Sequence, residues 1–291
     1  MASSKSIIRD LVVRFEQVGI GNAQSEVLWL LEKLTGKNQS QLLISDVQLT
    51  DDQHKTLEQW VHDRIVLKKP LQYILGVVPF CGMDLVVRAP ILIPRPETEE
   101  WCLWLIEQFS KVNQVNFAIL DLCSGSGCIA LALAQAFPKS QVIGVDVDEE
   151  AIALARENQA GLEVKNVEFV QADAGEFLQK TDLKFDLVVS NPPYLAAREL
   201  GVMYEKFGDW EAKRALVAEN EGLKFYQEFS QLVPCVLTPS SGAFPCLVFE
   251  IGHLQAEKVA EIMKNQGFAE ICVKQDLYGK DRIVFAYLCK L

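Results

Sequence analysis

The sequence predicts an α/β protein built on a mostly parallel sheet, preceded by a small helical bundle. From residue 117 onward, short apolar strand-like runs alternate with helical stretches, which is the pattern of a parallel sheet covered by helices. Before residue 76, apolar residues recur at helical spacing. Hydrophobic residues make up 49% of the 291-residue chain, so we expect a globular protein with a sizeable core.

Three helices are predicted in the first 75 residues. The first carries an apolar stripe that begins at Ile7. The second is expected to be capped by Asn22 and stopped by Gly36, because these residue types suit the two ends of a helix. Thr50 and Gln53 have the spacing of a capping box at the start of the third.

A β-hairpin connector is predicted at residues 76–95, where β-preferring residues are punctuated by Gly82. Pro96 and the acidic residues after it suit the first turn of a helix. We therefore divide the chain into a helical domain at 1–75, the connector at 76–95 and a larger domain at 96–291.

Seven strands and four helices are predicted from residue 117 onward. The strands cover residues 117–122, 141–146, 167–172, 185–190, 246–251, 270–275 and 282–289, and the helices cover residues 127–137, 149–160, 221–237 and 254–266. Residues 276–281, between the last two strands, are too few for a crossover helix, so that strand pair should be antiparallel.

A glycine-containing loop follows the first of these strands and opens a helix. Its residues are Cys123, Ser124, Gly125, Ser126 and Gly127. Glycines let the backbone approach a ligand closely, and a helix N-terminus offers free N–H groups. The loop also satisfies the dinucleotide-binding fingerprint, with Ala130 in its last position.

The next two strands end in acidic residues. A carboxylate at Asp146 can accept hydrogen bonds from both hydroxyls of a ribose. The alternative is that Asp146 or Asp148 caps the following helix, and Asp148 fits the cap better. Asp173, followed by Ala174, reaches the same sheet edge and can accept from the exocyclic amine of adenine, or it belongs to an ordinary strand-end turn.

The fourth strand ends in Asn191, Pro192, Pro193 and Tyr194. The two prolines form a rigid loop that offers carbonyl acceptors and no N–H donors of its own. Asn191 adds a side-chain carbonyl, and Tyr194 adds a flat face for a planar group. A strand that simply ends in a turn is the alternative, because Asn-Pro often opens turns.

These strand ends together point to methyl transfer. An NAD-dependent enzyme would account for the glycine loop and Asp146 but would leave the Asn-Pro-Pro-Tyr segment without a role. An adenosine ligand that carries a transferable group accounts for all four strand ends. The sequence therefore indicates S-adenosylmethionine as the cofactor and a planar nitrogen as the methyl acceptor.

The acceptor nitrogen must change from planar toward tetrahedral before it attacks the methyl group. The side-chain oxygen of Asn191 and the backbone carbonyl of Pro192 can favour that change and stabilise the positive charge that grows on nitrogen. The proton can leave afterwards to water, so no catalytic histidine is required. None of the three histidines, His54, His62 and His253, lies near these motifs in sequence.

Charge and composition limit which ligands and partners the protein can bind and indicate its cellular compartment. The net charge is -11 and no Lys/Arg cluster stands out, so we expect no direct nucleic-acid binding. The cysteines and histidines lack zinc-site spacing, so we expect no metal and free thiols in a reducing compartment. No apolar run approaches the ~18 residues of a membrane span, and we expect a cytoplasmic protein without membrane contact.

The motifs also resemble those of the release-factor glutamine methyltransferases, the HemK/PrmC family. The resemblance is carried by residues 70–76, Phe80, 92–99, 121–130, 190–194, 215–216, 250–252, Gln255 and 281–282. Asn-Pro-Pro-Tyr alone is shared with adenine-N6 DNA methyltransferases. Its combination with the Pro-Arg-Pro-Glu-Thr-Glu segment is much more specific.

The resemblance implies a seven-stranded Rossmann-like methyltransferase sheet and a specific reaction. The family methylates the side-chain amide nitrogen of the glutamine in the Gly-Gly-Gln motif of class I peptide chain release factors. S-adenosylmethionine is the methyl donor and S-adenosylhomocysteine the product. The helical N-terminal domain would help to recognise the release factor, and we expect a monomer.

Site residues carried over from the family fall into three groups. The cofactor contacts would be Cys123, Ser124, Gly125, Ser126, Gly127, Asp146, Asp173, Ala174 and Asn191. The glutamine site would be Asn191, Pro192, Pro193 and Tyr194, with Asn191, Pro192 and Tyr194 as the catalytic residues. A loop with Arg95, Glu97 and Thr98 would shape the substrate pocket, or these residues form only a capped helix start.

Some positions depart from the family pattern. Cys123 replaces a common glycine, which is acceptable if that position does not need a positive φ. Residues 211–214 lack the usual proline, and residues 218–222 lack the usual paired glycines. A further hypothesis is that oxidation of Cys123 and Cys128, which bracket the glycine loop, impairs cofactor binding.

Two other functions stay open on the sequence alone. The first is an adenine-N6 nucleic-acid methyltransferase, which the charge of -11 opposes. The second is a cofactor-binding module that docks on translation factors without catalysing a reaction.

Overall fold

The computed structural model describes residues 4–112, 116–207, 209–238 and 244–287. Within these residues the chain forms two compact units. One unit comprises residues 1–77 with 203–210, and the other comprises residues 78–202 with 211–291.

The first unit contains five helices where the sequence predicted three. They are α1 (Ser4–Gln17), α2 (Ala23–Thr35), α3 (Gln39–Ile44), α4 (Asp51–Ile65) and α5 (Leu71–Leu75). Their apolar faces share one core, in which Phe15, Leu30 and Leu31 are fully buried. The additional helices, α3 and α5, have six and five residues, which is too short for a clear helical periodicity.

The helix caps of this unit match the sequence in two of three places. Thr50 and Gln53 form the predicted capping box, and Gly36 ends α2 with a left-handed φ of 68°. Asn22 precedes α2 but makes no side-chain capping hydrogen bond, so that prediction was wrong. Its backbone is not extended (ψ 34°), whereas capping asparagines normally have extended backbones. A second capping box, Asn38 with Gln41, starts α3.

The predicted β-hairpin is confirmed, and its two strands cover residues 77–86 of the predicted range 76–95. Strands β1 (Val77–Phe80) and β2 (Met83–Val86) form a two-stranded sheet, and the turn between them uses positive φ angles at Cys81 and Gly82. An irregular segment then leads to α6 (Pro96–Ser110), which begins with the predicted proline.

The second unit contains the predicted seven-stranded sheet. Its strands are β3 (Ala118–Leu122), β4 (Gln141–Asp146), β5 (Val167–Gln171), β6 (Leu187–Ser190), β7 (Leu247–Glu250), β8 (Ala269–Gln275) and β9 (Asp281–Tyr287). They lie in the order β5-β4-β3-β6-β7-β9-β8. β9 is antiparallel to both β7 and β8, and the other neighbours are parallel. Residues 288–289, predicted as strand, lie outside the described residues.

Beyond α6 the described residues form seven more helices, and several of them pack on the two faces of the sheet. They are α7 (Cys128–Ala136), α8 (Glu149–Gly161), α9 (Ala174–Lys180), α10 (Ala197–Phe207), α11 (Glu219–Gly222), α12 (Lys224–Leu232) and α13 (Ala256–Asn265). Alternate residues of β6 enter different apolar clusters, Leu187 and Val189 one and Val188 the other. α7 packs in the first cluster, and α12 and α13 pack in the second. No helix in the described ranges is long and apolar enough to cross a membrane.

The helix predicted at 221–237 was wrong in extent. Asn220 and Glu221 have positive φ angles, so the regular helix begins only at Lys224. It ends at Leu232, where Pro234 cannot donate the next helical hydrogen bond, and a 3₁₀ turn follows. The sequence pattern did not predict α9 and α10.

An ion pair in the first unit offers a test of its stability. The guanidinium of Arg64 binds both oxygens of Glu26, at 2.6 and 2.9 Å, and the Glu26 side chain is only 6% exposed. We expect Arg64→Met to lower the free energy of unfolding by about 3 kcal/mol, because it leaves a buried carboxylate without its cation. Urea unfolding followed by circular dichroism measures this loss.

Arg14 provides the matched control within the same unit. It pairs with both oxygens of Glu58, but these side chains are 36% and 61% exposed. Arg14→Met should therefore cost less than about 1 kcal/mol. Equal losses for the two variants would contradict the expectation.

Candidate active site

Four strand ends meet at one edge of the sheet because their parallel registers are level. Leu122 at the end of β3 pairs with Val145 on one side and with Ser190 on the other, and Asp146 pairs with Gln171. The segments that follow these strands therefore face a common cleft. Parallel α/β sheets bind their ligands at this carboxyl edge.

The cleft encloses about 770 Å³ of space, part of it open to solvent. Seven of the predicted site residues line it: Cys123, Gly125, Asp146, Asp173, Ala174, Asn191 and Pro193. Eight predicted residues do not: Ser124, Ser126, Gly127, Pro192, Tyr194, Arg95, Glu97 and Thr98. The remaining lining residues were missed by the sequence analysis: Pro90, Ile91, Leu92, Val145, Val147, Asp148, Ala151, Ala212, Arg214, Ala215 and Phe225.

The glycine loop turns sharply between β3 and α7. Cys123, Gly125 and Gly127 all have positive φ angles, of 62°, 55° and 81°. The condition under which Cys123 could replace a glycine without cost is therefore not met, and that residue holds a conformation that costs about 1–2 kcal/mol. The hydroxyls of Ser124 and Ser126 are buried away from the cleft and have no hydrogen-bond partner among the described residues.

Two glycines of the loop have different surroundings. A Cβ atom on Gly127 would lie 2.7 Å from the Phe169 ring and 3.0 Å from the Ala155 methyl group. A Cβ atom on Gly125 would meet nothing within 4 Å. Gly127 thus allows the loop to pack on the sheet, whereas Gly125 leaves backbone accessible at the cleft.

Asp146 joins the second strand to the glycine loop. Its Oδ2 accepts a hydrogen bond from the N–H of Gly125 at 2.8 Å, and its Oδ1 accepts from the N–H of Asp148 at 2.9 Å. Each carboxylate oxygen keeps a second lone pair. Burial raises the pKa of Asp146, while these two N–H bonds oppose the rise by stabilising the charged form.

The neighbouring acids cap helices, which the sequence had indicated for Asp148 but not for Asp173. Asp148 Oδ1 accepts from the N–H of Glu150 at 3.0 Å, so Asp148 is the cap of α8. Its other oxygen pairs with Arg214 at 2.6 Å, at the wall of the cleft. Asp173 Oδ1 accepts from the N–H of Glu176 at 3.0 Å and caps α9, while Asp173 also lines the cleft.

Asn191 follows β6 directly, and its side chain is held by a hydrogen bond to a residue that does not line the cleft. Ser190 anchors the strand end, because its hydroxyl donates to the Leu122 carbonyl at 2.7 Å. The Nδ2 of Asn191 donates to the hydroxyl of Thr98 at 3.4 Å. Thr98 in turn donates to Glu250 Oε2 at 2.6 Å, and Trp101 donates to the same oxygen at 2.7 Å. Burial raises the pKa of Glu250.

Tyr194 is fixed through its backbone and its ring. Its carbonyl accepts from Gln255 Nε2 at 2.9 Å, and Gln255 Oε1 accepts from the N–H of Gly252 at 2.9 Å. Burial also raises the pKa of the phenol, so Tyr194 stays protonated at neutral pH. A Cβ atom on Gly222 would overlap the Tyr194 carbonyl, so that segment packs tightly against the Asn-Pro-Pro-Tyr loop.

The predicted Arg95–Thr98 loop is tied to a distant segment. Arg95 pairs with Glu211 Oε2 at 2.5 Å, and Glu211 Oε1 accepts from the N–H of Ile93 at 3.0 Å. The N–H of Ala212 donates to the Pro90 carbonyl at 2.8 Å. Arg95 occupies the position before α6 but makes no side-chain cap. These contacts join the two segments that form one wall of the cleft.

The structure also bears on metal and thiol chemistry. In the described ranges, no group of three or more His, Cys, Asp or Glu side chains could hold a metal ion. Burial raises the pKa of both Cys123 and Cys128. Because the thiolate is the form that is oxidised, these raised pKa values disfavour the hypothesis of a redox-sensitive loop.

Comparisons first define the class of protein. A methyltransferase domain model matches residues 113–272. A Pyrococcus furiosus methyltransferase structure superposes with a TM-score of 0.52, at 16% identity over 82% of this chain and 98% of that one. An S-adenosylmethionine-dependent methyltransferase from Agrobacterium tumefaciens gives 0.51, at 17% identity over 74% and 70%. The second unit therefore has a methyltransferase fold.

The particular family follows from closer relatives and from the N-terminal region. A model of the PrmC N-terminal domain matches residues 6–76. The release factor glutamine methyltransferase of Thermodesulfovibrio yellowstonii is 34% identical over 278 residues, which is 95% of each chain. That of Fusobacterium nucleatum is 37% identical over 239 residues, which is 81% of this chain and 64% of that relative. The chain belongs to the release factor glutamine methyltransferase family.

The two loop glycines generate a stability prediction. We expect Gly127→Ala to lower the free energy of unfolding by about 2–5 kcal/mol, because a left-handed alanine is strained and its methyl group collides with Phe169. Gly125→Ala adds a methyl group in open space and should cost only about 1–2 kcal/mol. Urea unfolding of the two variants measures the difference, and a larger loss at Gly125 would contradict it.

Proposed function

We propose that this protein transfers a methyl group from S-adenosylmethionine to the side-chain amide nitrogen of the Gly-Gly-Gln glutamine in class I peptide chain release factors. The observation that carries the proposal is the position of Asn191, at a strand end directly beside the glycine loop and in the same cleft as Asp146. Family membership supports the same reaction, because the curated relatives are named release factor glutamine methyltransferases.

The cleft residues fit S-adenosylmethionine. Gly125 offers exposed backbone, and the free lone pairs of Asp146 suit the hydroxyls of a ribose. Ile91 and Phe225 add apolar surface that suits a flat base. Asp173 and Ala174 lie where they can contact its edge. The bound cofactor supplies a methyl group that its sulfonium charge already activates.

The protein's own residues would act on the nitrogen that accepts the methyl group. An amide nitrogen is a weak nucleophile, because its lone pair is delocalised. The Asn191 side-chain oxygen and the Pro192 carbonyl would accept hydrogen bonds from that nitrogen and stabilise the positive charge that develops on it. Holding the nitrogen in line with the methyl group supplies much of the remaining rate. The proton then leaves to water.

The two proline residues keep this loop free of competing donors. Proline has no N–H, so residues 192 and 193 present acceptors and no backbone donors. A site with acceptors alone favours a guest that brings N–H groups, which a glutamine side chain does. Tyr194 would add its partly buried ring beside the site.

The wider assignments rest on the same proposal. The helical domain at 1–75 would help to recognise the release factor, as its match to the PrmC N-terminal domain suggests. Arg95 and Glu97 would shape the substrate pocket with Thr98. Because the proposed substrate acts in translation, we expect a cytoplasmic enzyme, and we expect it to act as a monomer. The net charge of -11 argues against the adenine-N6 nucleic-acid alternative.

The central experiment follows a labelled methyl group. We expect purified protein, labelled S-adenosylmethionine and a class I release factor to yield label on the Gly-Gly-Gln glutamine, located by mass spectrometry. Asn191→Ala should reduce the rate by about 100- to 1,000-fold, because it removes one of the two acceptors. Calorimetry should show that this variant still binds the cofactor.

Asn265→Ala is the matched control, because Asn265 is exposed at the end of α13 and should be replaceable without loss of rate. Label on DNA instead of the release factor would support the nucleic-acid alternative. Cofactor binding without any turnover by the wild type would support a non-catalytic module.

A second experiment tests the ribose contact. We expect Asp146→Asn to weaken S-adenosylmethionine binding by about 10- to 100-fold, because a charged acceptor is lost. Wild-type affinity should fall as the pH drops through the raised pKa of Asp146, since only the ionised carboxylate accepts all its hydrogen bonds. The variant should lose this pH dependence.

Calorimetric titrations that start near the ordinary carboxyl pKa of about 4 and extend to neutral pH would show both effects. Asp182→Asn is the control, because Asp182 is an exposed acid in the same unit. Unchanged affinity in Asp146→Asn would remove Asp146 from the proposed cofactor site.

A further inference from the structure

A chain of buried hydrogen bonds lies behind the Asn191 side chain. It runs from Asn191 Nδ2 to the Thr98 hydroxyl at 3.4 Å and from that hydroxyl to Glu250 Oε2 at 2.6 Å. Thr98 and Glu250 are each only 1% exposed. Trp101 completes the chain, because its Nε1 donates to the same Glu250 oxygen at 2.7 Å.

The fold brings these residues together from distant parts of the sequence. Ser190 pairs with Phe249 across the parallel strands β6 and β7, so Asn191 and Glu250 leave the sheet at the same level. Thr98 and Trp101 lie three residues apart on α6 and therefore share one helix face. α6 thus fills the space between the two strand ends.

With Glu250 ionised, the direction of each hydrogen bond in this chain is determined. An indole Nε1 can only donate, so Trp101 requires Glu250 Oε2 to be an acceptor. The Thr98 hydroxyl has a single proton and gives it to that same oxygen. Thr98 can then offer Asn191 only a lone pair, and only an N–H can meet it.

These hydrogen bonds determine how the Asn191 side-chain amide is rotated. The Nδ2 group must face Thr98, and Oδ1 must point to the opposite side. In the flipped orientation, Oδ1 would meet the lone pair of Thr98, and the N–H bond to Thr98 would be lost. The oxygen on which the proposed chemistry depends is therefore presented in one orientation.

We infer that Thr98 and Glu250 are positioning residues that select the productive orientation of the Asn191 amide. This inference rests on the proposed methyl transfer, because it concerns the oxygen that would accept the substrate N–H. Thr98 does not line the cleft, so its effect on the reaction passes through Asn191. Glu250 acts through one further hydrogen bond, because it fixes the direction of the Thr98 hydroxyl.

The test replaces the Thr98 hydroxyl with a group of the same shape. In Thr98→Val, the Asn191 N–H would face an apolar side chain, so the amide gains by turning that N–H toward the open cleft. The cost of an unpaired buried N–H corresponds to a fall in kcat of about 10- to 100-fold. S-adenosylmethionine affinity should change by less than about threefold, because Thr98 does not line the cleft and Asn191 is only one of the nine expected cofactor contacts.

Thr98→Ser is the matched control, because it keeps the hydroxyl and loses only a methyl group. Its kcat should stay within about threefold of the wild type. Thr98→Ala repeats the loss of the hydroxyl without a branched side chain, in case valine packs poorly. Thermal unfolding by circular dichroism shows that each variant is folded.

A double variant separates positioning from a structural role. If Thr98 acts through Asn191, adding Thr98→Val to Asn191→Ala should cause no further loss of rate. Two results would overturn the inference. One is a double variant whose loss of rate equals the product of the two single losses, and the other is an unchanged kcat in both Thr98→Val and Thr98→Ala. A wild type that does not methylate the release factor would overturn the proposed function instead.

Discussion

The level register of the parallel strands is the constraint on which the rest of the molecule depends. Because β3, β4, β5 and β6 end together, the glycine loop, Asp146, Asp173 and Asn191 share one cleft although they span 69 positions from Cys123 to Asn191. A shift of one residue in any pair would turn side chains to the other face of the sheet. The apolar clusters on both faces oppose such a shift.

Hydrogen bonds then fix the positions of the loops that follow these strands. Asp146 uses both oxygens to hold backbone N–H groups of the loop and of the turn before α8, and Ser190 ties two strand ends together. The Ser190 bond is buried and the two Asp146 bonds are partly buried, so leaving any of these groups unpaired would be costly. The site is therefore prepared before any ligand binds, which lowers the cost of ordering it during the reaction.

Local pattern and the ends of the strands predicted the sheet, the hairpin and seven of the eighteen residues that line the cleft. They could not predict the contact between Thr98 and Glu250, which are 152 positions apart, or between Ile93 and Glu211, which are 118 apart. Such pairs depend on tertiary packing, and neither partner carries a local signal. The positive φ of Cys123 was also hidden, because only the fold forces a non-glycine residue into that conformation.

The close approach of Gly222 to the Tyr194 carbonyl has a consequence for how this protein can change over time. Residues 218–222 lack the paired glycines usual in the family, yet Gly222 packs against the backbone of the Asn-Pro-Pro-Tyr loop. Any side chain at position 222 would displace the carbonyl that Gln255 also holds. Position 222 is therefore restricted to glycine, whereas the positions next to it can accept substitutions. A substitution at 222 would move the backbone of Tyr194 in the Asn-Pro-Pro-Tyr loop.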